Sequence, residues 1–135
     1  MRVEGARLEI LRIVTAFECG AVVDPENLRK QVEGATVMGL GGALFEAIHF
    51  ADGVVTNPRF SEYRIPRFTD IPPIETILVD RPDIPAAGGG ETPIITIAPA
   101  LANAIFDATG TRIRSLPLLE HSSLVYGRRF RSGAQ

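Results

Sequence analysis

Ala87-Gly88-Gly89-Gly90-Glu91-Thr92-Pro93 lies between the clearest strand pattern of this 135-residue chain and a helix-start signal, so its reading decides the fold. Upstream, Ile74-Glu75-Thr76-Ile77-Leu78-Val79 is rich in β-branched residues, which predicts a strand. Downstream, Thr92 reads as an N-cap and Pro93 as a first helical residue, where a missing N–H costs nothing. A short first turn at Pro93 then leads into a main helix over about 99–109, opened by Pro99 and closed by Gly110. The three glycines permit positive φ and close backbone approach. Free N–H groups at a helix start beside glycine backbone can cradle an oxyanion or the polar edge of a cofactor. Taken locally, the same residues also suit a plain strand-to-helix connector. Glu91 is what the connector leaves unexplained, because no basic residue lies within five positions on either side.

Working outward, Arg7 to Phe17 carries β-branched residues in alternation and predicts one strand, ended by Glu18-Cys19-Gly20. Cys19 reads as a small buried residue. Asp24-Pro25 is a second helix start, and the spacing of Leu28, Val32, Ala35, Met38, Leu40 and Leu44 predicts a helix over 25–46. Its interior holds Gly34, Gly39, Gly41 and Gly42, each costing roughly 1 kcal/mol relative to alanine. Such a helix implies close packing against another helix or a planar ligand. Gln31 lies on it one turn from Gly34, and on local grounds it reads as a solvent-exposed residue. Asp52-Gly53 marks a hairpin turn. Residues 57–68 hold two prolines and are expected to wander over the surface, residues 111–119 to leave the core. The order of elements gives an α+β fold, with two main helices on one face of a small mixed sheet. Residues 1–119 form the domain and residues 120–135 a polar, arginine-bearing tail.

Composition narrows the function classes. One domain of this length buries roughly two thirds of its unfolded surface. A formal net charge of −2 offers no electrostatic footprint for nucleic acid, and Lys30 is the single lysine. One cysteine, Cys19, excludes an internal disulfide and a cysteine-ligated iron–sulfur cluster within the chain. No apolar run reaches membrane-spanning length and no metal-ligand cluster stands out, so the cytoplasm is the default compartment.

Residues 18–117 resemble the C-terminal end of the molybdopterin-binding large subunit of the xanthine dehydrogenase and aldehyde oxidoreductase family. The resemblance is carried by Glu18-Cys19-Gly20, Asp24-Pro25, Gln31-Val32-Glu33-Gly34, Met38-Gly39-Leu40-Gly41, Tyr63-Arg64-Ile65-Pro66, Gly90-Glu91 and Ala104-Ile105-Phe106-Asp107-Ala108-Thr109-Gly110, with Leu116-Pro117 beyond. Within the family the chain most resembles the isoquinoline 1-oxidoreductase β-subunit type, although its Gly-Gly-Gly-Glu-Thr-Pro differs from the commoner Gly-Val-Gly-Glu. The resemblance implies a molybdopterin-type molybdenum cofactor and oxidative hydroxylation of an aldehyde or N-heteroaromatic substrate with water-derived oxygen. For Glu91 it implies the general base toward the attacking oxygen, and for Gln31 and Gly90 a part of the pterin site. Burial beside a cofactor can raise such a carboxylate's pKa by up to about 3–5 units, outweighing the helix start. Gly41 and Gly42 would allow close approach in the same region. The family subunit is several times longer, and its iron–sulfur clusters sit in another domain or subunit. The implied partners are therefore the remainder of the large subunit and a [2Fe-2S] subunit. An exposed apolar face and association with itself or a partner are expected, and the chain alone is not expected to be active. The alternative is a non-catalytic, stand-alone protein- or ligand-binding domain derived from that family.

Overall fold

In the computed structural model, which describes residues 1–127, the Oδ1 atom of Asp24 accepts the Asn27 N–H at 3.0 Å. With Pro25 in the first turn, this cap opens helix α1, Pro25–Leu44. The helix stops two residues short of the expected 46, where Phe45 N–H donates to the Gly41 carbonyl. Helix α2, Ile97–Thr109, follows a 3₁₀ helix over Thr92–Thr96, and Gly110 closes it in the left-handed conformation at φ 73°. Thr92 is not the N-cap that the sequence suggested. Glu91 occupies that position, while the Thr92 hydroxyl donates to the Gly88 carbonyl at 3.3 Å. The two helices pack where α1 has no side chain. A Cβ on Gly39 would stand 2.9 Å from the Ile97 Cβ and Cγ1.

Three small sheets accompany this helix pair. Strand β1, Arg2–Glu4, pairs antiparallel with β2, Arg7–Glu9. Strand β3, Ile13–Glu18, pairs parallel with β6, Ile74–Val79. Strands β4, Phe50–Ala51, and β5, Val54–Val55, form the expected Asp52-Gly53 hairpin, with both turn residues at positive φ. The single strand expected over 7–17 is thus two strands in two sheets. Ile10-Leu11-Arg12 separates them, Ile10 turning into the core while Leu11 stands exposed.

The core cluster joins Leu8 and Ile10 to Leu40, Ala43 and Leu44 of α1 and to Ile97, Leu101 and Ile105 of the α2 region. Ile113 and Leu118 complete it, so residues 111–119 return to the core rather than leaving it. The backbone explains the return. Leu118 N–H donates to the Ala43 carbonyl at 2.7 Å and Leu119 N–H to the Leu44 carbonyl at 3.2 Å, satisfying orphan acceptors at the end of α1. Beyond Glu120, strand β7, Val125–Tyr126, pairs parallel with β2, so part of the expected tail is structured. Residues 128–135 of that tail lie outside the described residues.

Candidate functional site

The segment leading into the glycine loop is anchored twice. Arg81 N–H donates to the Gly20 carbonyl at 3.1 Å, and Ala87 N–H to the Cys19 carbonyl at 2.7 Å. Gly20 is required there, since it sits at φ +78° and its missing Cβ would lie 2.2 Å from the Pro85 carbonyl oxygen. Half-buried Cys19 serves this clamp through its backbone. Farther along, a Cβ on Gly89 would stand 2.5 Å from Leu28 Cδ1, so the loop lies against the first turns of α1. Around Gly88 and Gly90 nothing would meet an added Cβ within 4 Å, leaving backbone open on that side.

Glu91 follows, exposed, at the start of the 3₁₀ helix, its carbonyl accepting the Ile94 N–H at 3.1 Å. Gln31 is also exposed, three residues after Leu28 and thus about 4.5 Å farther along the helix axis. Among the described residues no hydrogen bond joins the Gln31 and Glu91 side chains. They lie on two elements that touch at the Gly89–Leu28 contact. The described residues do not supply the burial expected around Glu91.

The glycines of α1 divide into two sets. Gly39 serves the packing on Ile97, and Gly41 makes room for Glu46, whose Oε1 would lie 1.6 Å from an added Cβ. The Tyr63 hydroxyl donates to the other oxygen of that carboxylate at 3.1 Å, and the Glu46 bond is the leading cause that raises the Tyr63 pKa. Gly41 is therefore closed to a ligand by the chain itself, contrary to the close approach expected there. Gly34 and Gly42 meet nothing, and with Gln31 and Met38 they line an exposed side of the helix. Leu28 is legible as a helix residue, but its seating of the glycine loop is not, because that contact is long-range and carries no local pattern.

Among the described residues no group of three or more His, Cys, Asp or Glu side chains could hold a metal ion. The groups on offer are an amide, open glycine backbone and a carboxylate, a set that could hydrogen-bond the polar edge of an organic cofactor. The family model for a molybdopterin cofactor-binding domain matches residues 3–72. The chain belongs to this molybdopterin-binding family. The xanthine dehydrogenase molybdenum-binding subunit of Escherichia coli O157:H7 is 38% identical over 118 residues, covering 83% of this chain and 16% of its own length. The beta subunit of isoquinoline 1-oxidoreductase from Brevundimonas diminuta is 35% identical over 111 residues, covering 82% of this chain and 14% of that subunit. Quinoline 2-oxidoreductase from Pseudomonas putida 86 superposes with a TM-score of 0.69 at 25% identity, over 77% of this chain and 14% of that structure. The chain thus spans a small part of the molybdenum hydroxylase subunits it matches. Gly88 and Gly90, with the exposed amide of Gln31, present open polar surface and not an enclosed pocket. No helix of the described residues is long and apolar enough to cross a membrane.

Proposed function

We propose that this chain is the part of a molybdenum hydroxylase large subunit that contributes the general base Glu91 and a section of the pterin wall. The observation that carries this reading is the placement of Glu91. It stands exposed at a helix start, on a glycine loop seated on the same helix that presents Gln31. The cofactor, when bound, supplies oxygen transfer and takes up the electrons of an aldehyde or N-heteroaromatic substrate. The chain's own residues move the proton and hold the pterin edge. Glu91 accepts a proton, and covering by the remainder of the subunit provides the desolvation that tunes such a base toward working pH. Gln31 offers both a donor and an acceptor to the pterin edge. Gly90 keeps backbone N–H groups within reach of it. An iron–sulfur partner removes the electrons.

The test is a reassembled enzyme, obtained by co-expressing the chain with the remaining large-subunit portion and the iron–sulfur subunit. Glu91→Gln preserves side-chain volume and molybdenum content while lowering turnover by a factor on the order of 10²–10⁴. Gln31→Ala mainly lowers cofactor content, because it removes hydrogen bonds and no proton acceptor. Unchanged turnover of Glu91→Gln at full molybdenum loading refutes the assignment. Failure to recover any cofactor favours a non-catalytic binding domain.

A further inference from the structure

The pair β3–β6 is an unfinished sheet. Parallel strands occur in sheets covered on both faces, and two strands alone are marginal in water. Here α1 packs on β6, and the paired Thr15 and Thr76 are buried on one face. The opposite face shows Val14 at 46%, Ile77 at 46% and Val79 at 41% exposure. The two outer edges differ as well. Ile13 N–H donates to the Pro73 carbonyl, and the register pairs Ile13 with Ile74 through Glu18 with Val79. Backbone groups of Ile13, Thr15 and Phe17 therefore face β6, while those of Val14, Ala16 and Glu18 face outward. On the β6 side, the outward carbonyl of Thr76 is already taken by the Arg29 guanidinium from α1. On the β3 side, no described residue bonds the backbone of Val14 or Ala16. A groove of about 200 Å³ runs from there to α2, lined by Ile13 and Val14 on one flank and by Ile97, Ala100, Leu101 and Ala104 on the other. Arg12 stands beside it.

We infer that the outer edge of β3 takes one added strand, supplied by the remainder of the large subunit, whose apolar side chains enter the groove against α2. This rests on the reading of the chain as part of such a subunit. The occupant is an extended segment with alternating apolar residues and an acidic side chain near Arg12, because main-chain bonds fix its position and the groove selects its side chains. The sequence 128–135 has one large apolar residue, Phe130, too few to fill the groove. The chain matches 14% of the isoquinoline β subunit, so most of that polypeptide remains to provide the strand.

The test uses the ¹⁵N-labelled full chain and the Brevundimonas isoquinoline β subunit with its matching stretch removed. On complex formation the Val14, Ala16 and Glu18 amides should slow their hydrogen exchange at least tenfold, while Thr15 and Phe17 change little. Ala16→Pro removes an outward N–H without touching the β3–β6 ladder, so the isolated variant keeps its circular dichroism and binds at least tenfold more weakly. Ala100→Leu, which narrows the groove from α2, also weakens binding. Association with the three amides still exchanging freely overturns the inference, as does Ala16→Pro or Ala100→Leu binding like wild type. A homodimer that Ala16→Pro dissolves makes the occupant a second copy and overturns it too. So does absence of any association. Protection of these amides in a complex without molybdenum leaves the strand in place and counts against the catalytic reading alone.

Discussion

Tyr126 shows what one side chain near the end of the described chain contributes. Its hydroxyl donates to the Asp70 carbonyl, and its pKa is pushed up from 10.0 to about 12, first by burial and then by the Asp70 charge, with Arg64 opposing. The folded state holds this proton more tightly than the unfolded chain does. The associated stability is therefore fully present below about pH 10 and is lost as pH rises from about 10 toward 12. Denaturation midpoints should fall over that window in the wild type. Tyr126→Phe should flatten the fall and cost about 0.5–1.5 kcal/mol at neutral pH, the net worth of one hydrogen bond. Equal alkaline loss in both proteins would show that another group controls it. Nothing around Tyr126 in the sequence announces this role, since its strand partner in β2 lies at the other end of the chain. Glu91, by contrast, stands out in the sequence as a candidate, because a carboxylate without a local partner follows three glycines. Its exposure was not legible, because no local pattern fixes which side chains pack over a loop.

Helix α1 makes two glycines behave in opposite ways. At Gly34 an added methyl meets nothing within 4 Å, so Gly34→Ala should stabilise the chain by about 0.5–1 kcal/mol through a less free unfolded state. At Gly39 the methyl would press on the Ile97 Cβ, which cannot swing aside, and Gly39→Ala should cost about 1–3 kcal/mol. Urea denaturation of the two variants checks both signs, and equal shifts would contradict the packing described. The helix itself was readable from Asp24-Pro25 and its apolar spacing, as was β6 from its β-branched run. The split of 7–17 was not, because no glycine or proline marks the change of sheet at Ile10-Leu11-Arg12. The return of 111–119 was hidden for a related reason. Gly110 signals that α2 ends but says nothing about Ala43 and Leu44, whose carbonyls receive the chain afterwards.

The whole molecule leaves large apolar side chains in water, among them Phe60 at 100%, Phe68 at 94% and Met38 at 68% exposure. Scattered exposed apolar residues are ordinary, yet so many on a chain this short suit surfaces that other polypeptide covers. The purified chain should therefore associate with itself at high concentration, and a monodisperse monomer there would speak against these surfaces being sticky. Catalysis is the stricter case. Cys19 is its one cysteine, whereas clusters that carry electrons away need several thiolates. Its candidate base is exposed, so the dry surroundings that make a carboxylate an effective base at working pH are missing. Purified without other subunits, the chain should give no substrate-dependent dye reduction even when supplied with molybdenum cofactor. Activity should emerge only when the large-subunit portion and an iron–sulfur subunit are added together. Dye reduction by the chain alone, abolished by Glu91→Gln, would mean that these residues hold and cover the reacting groups without help.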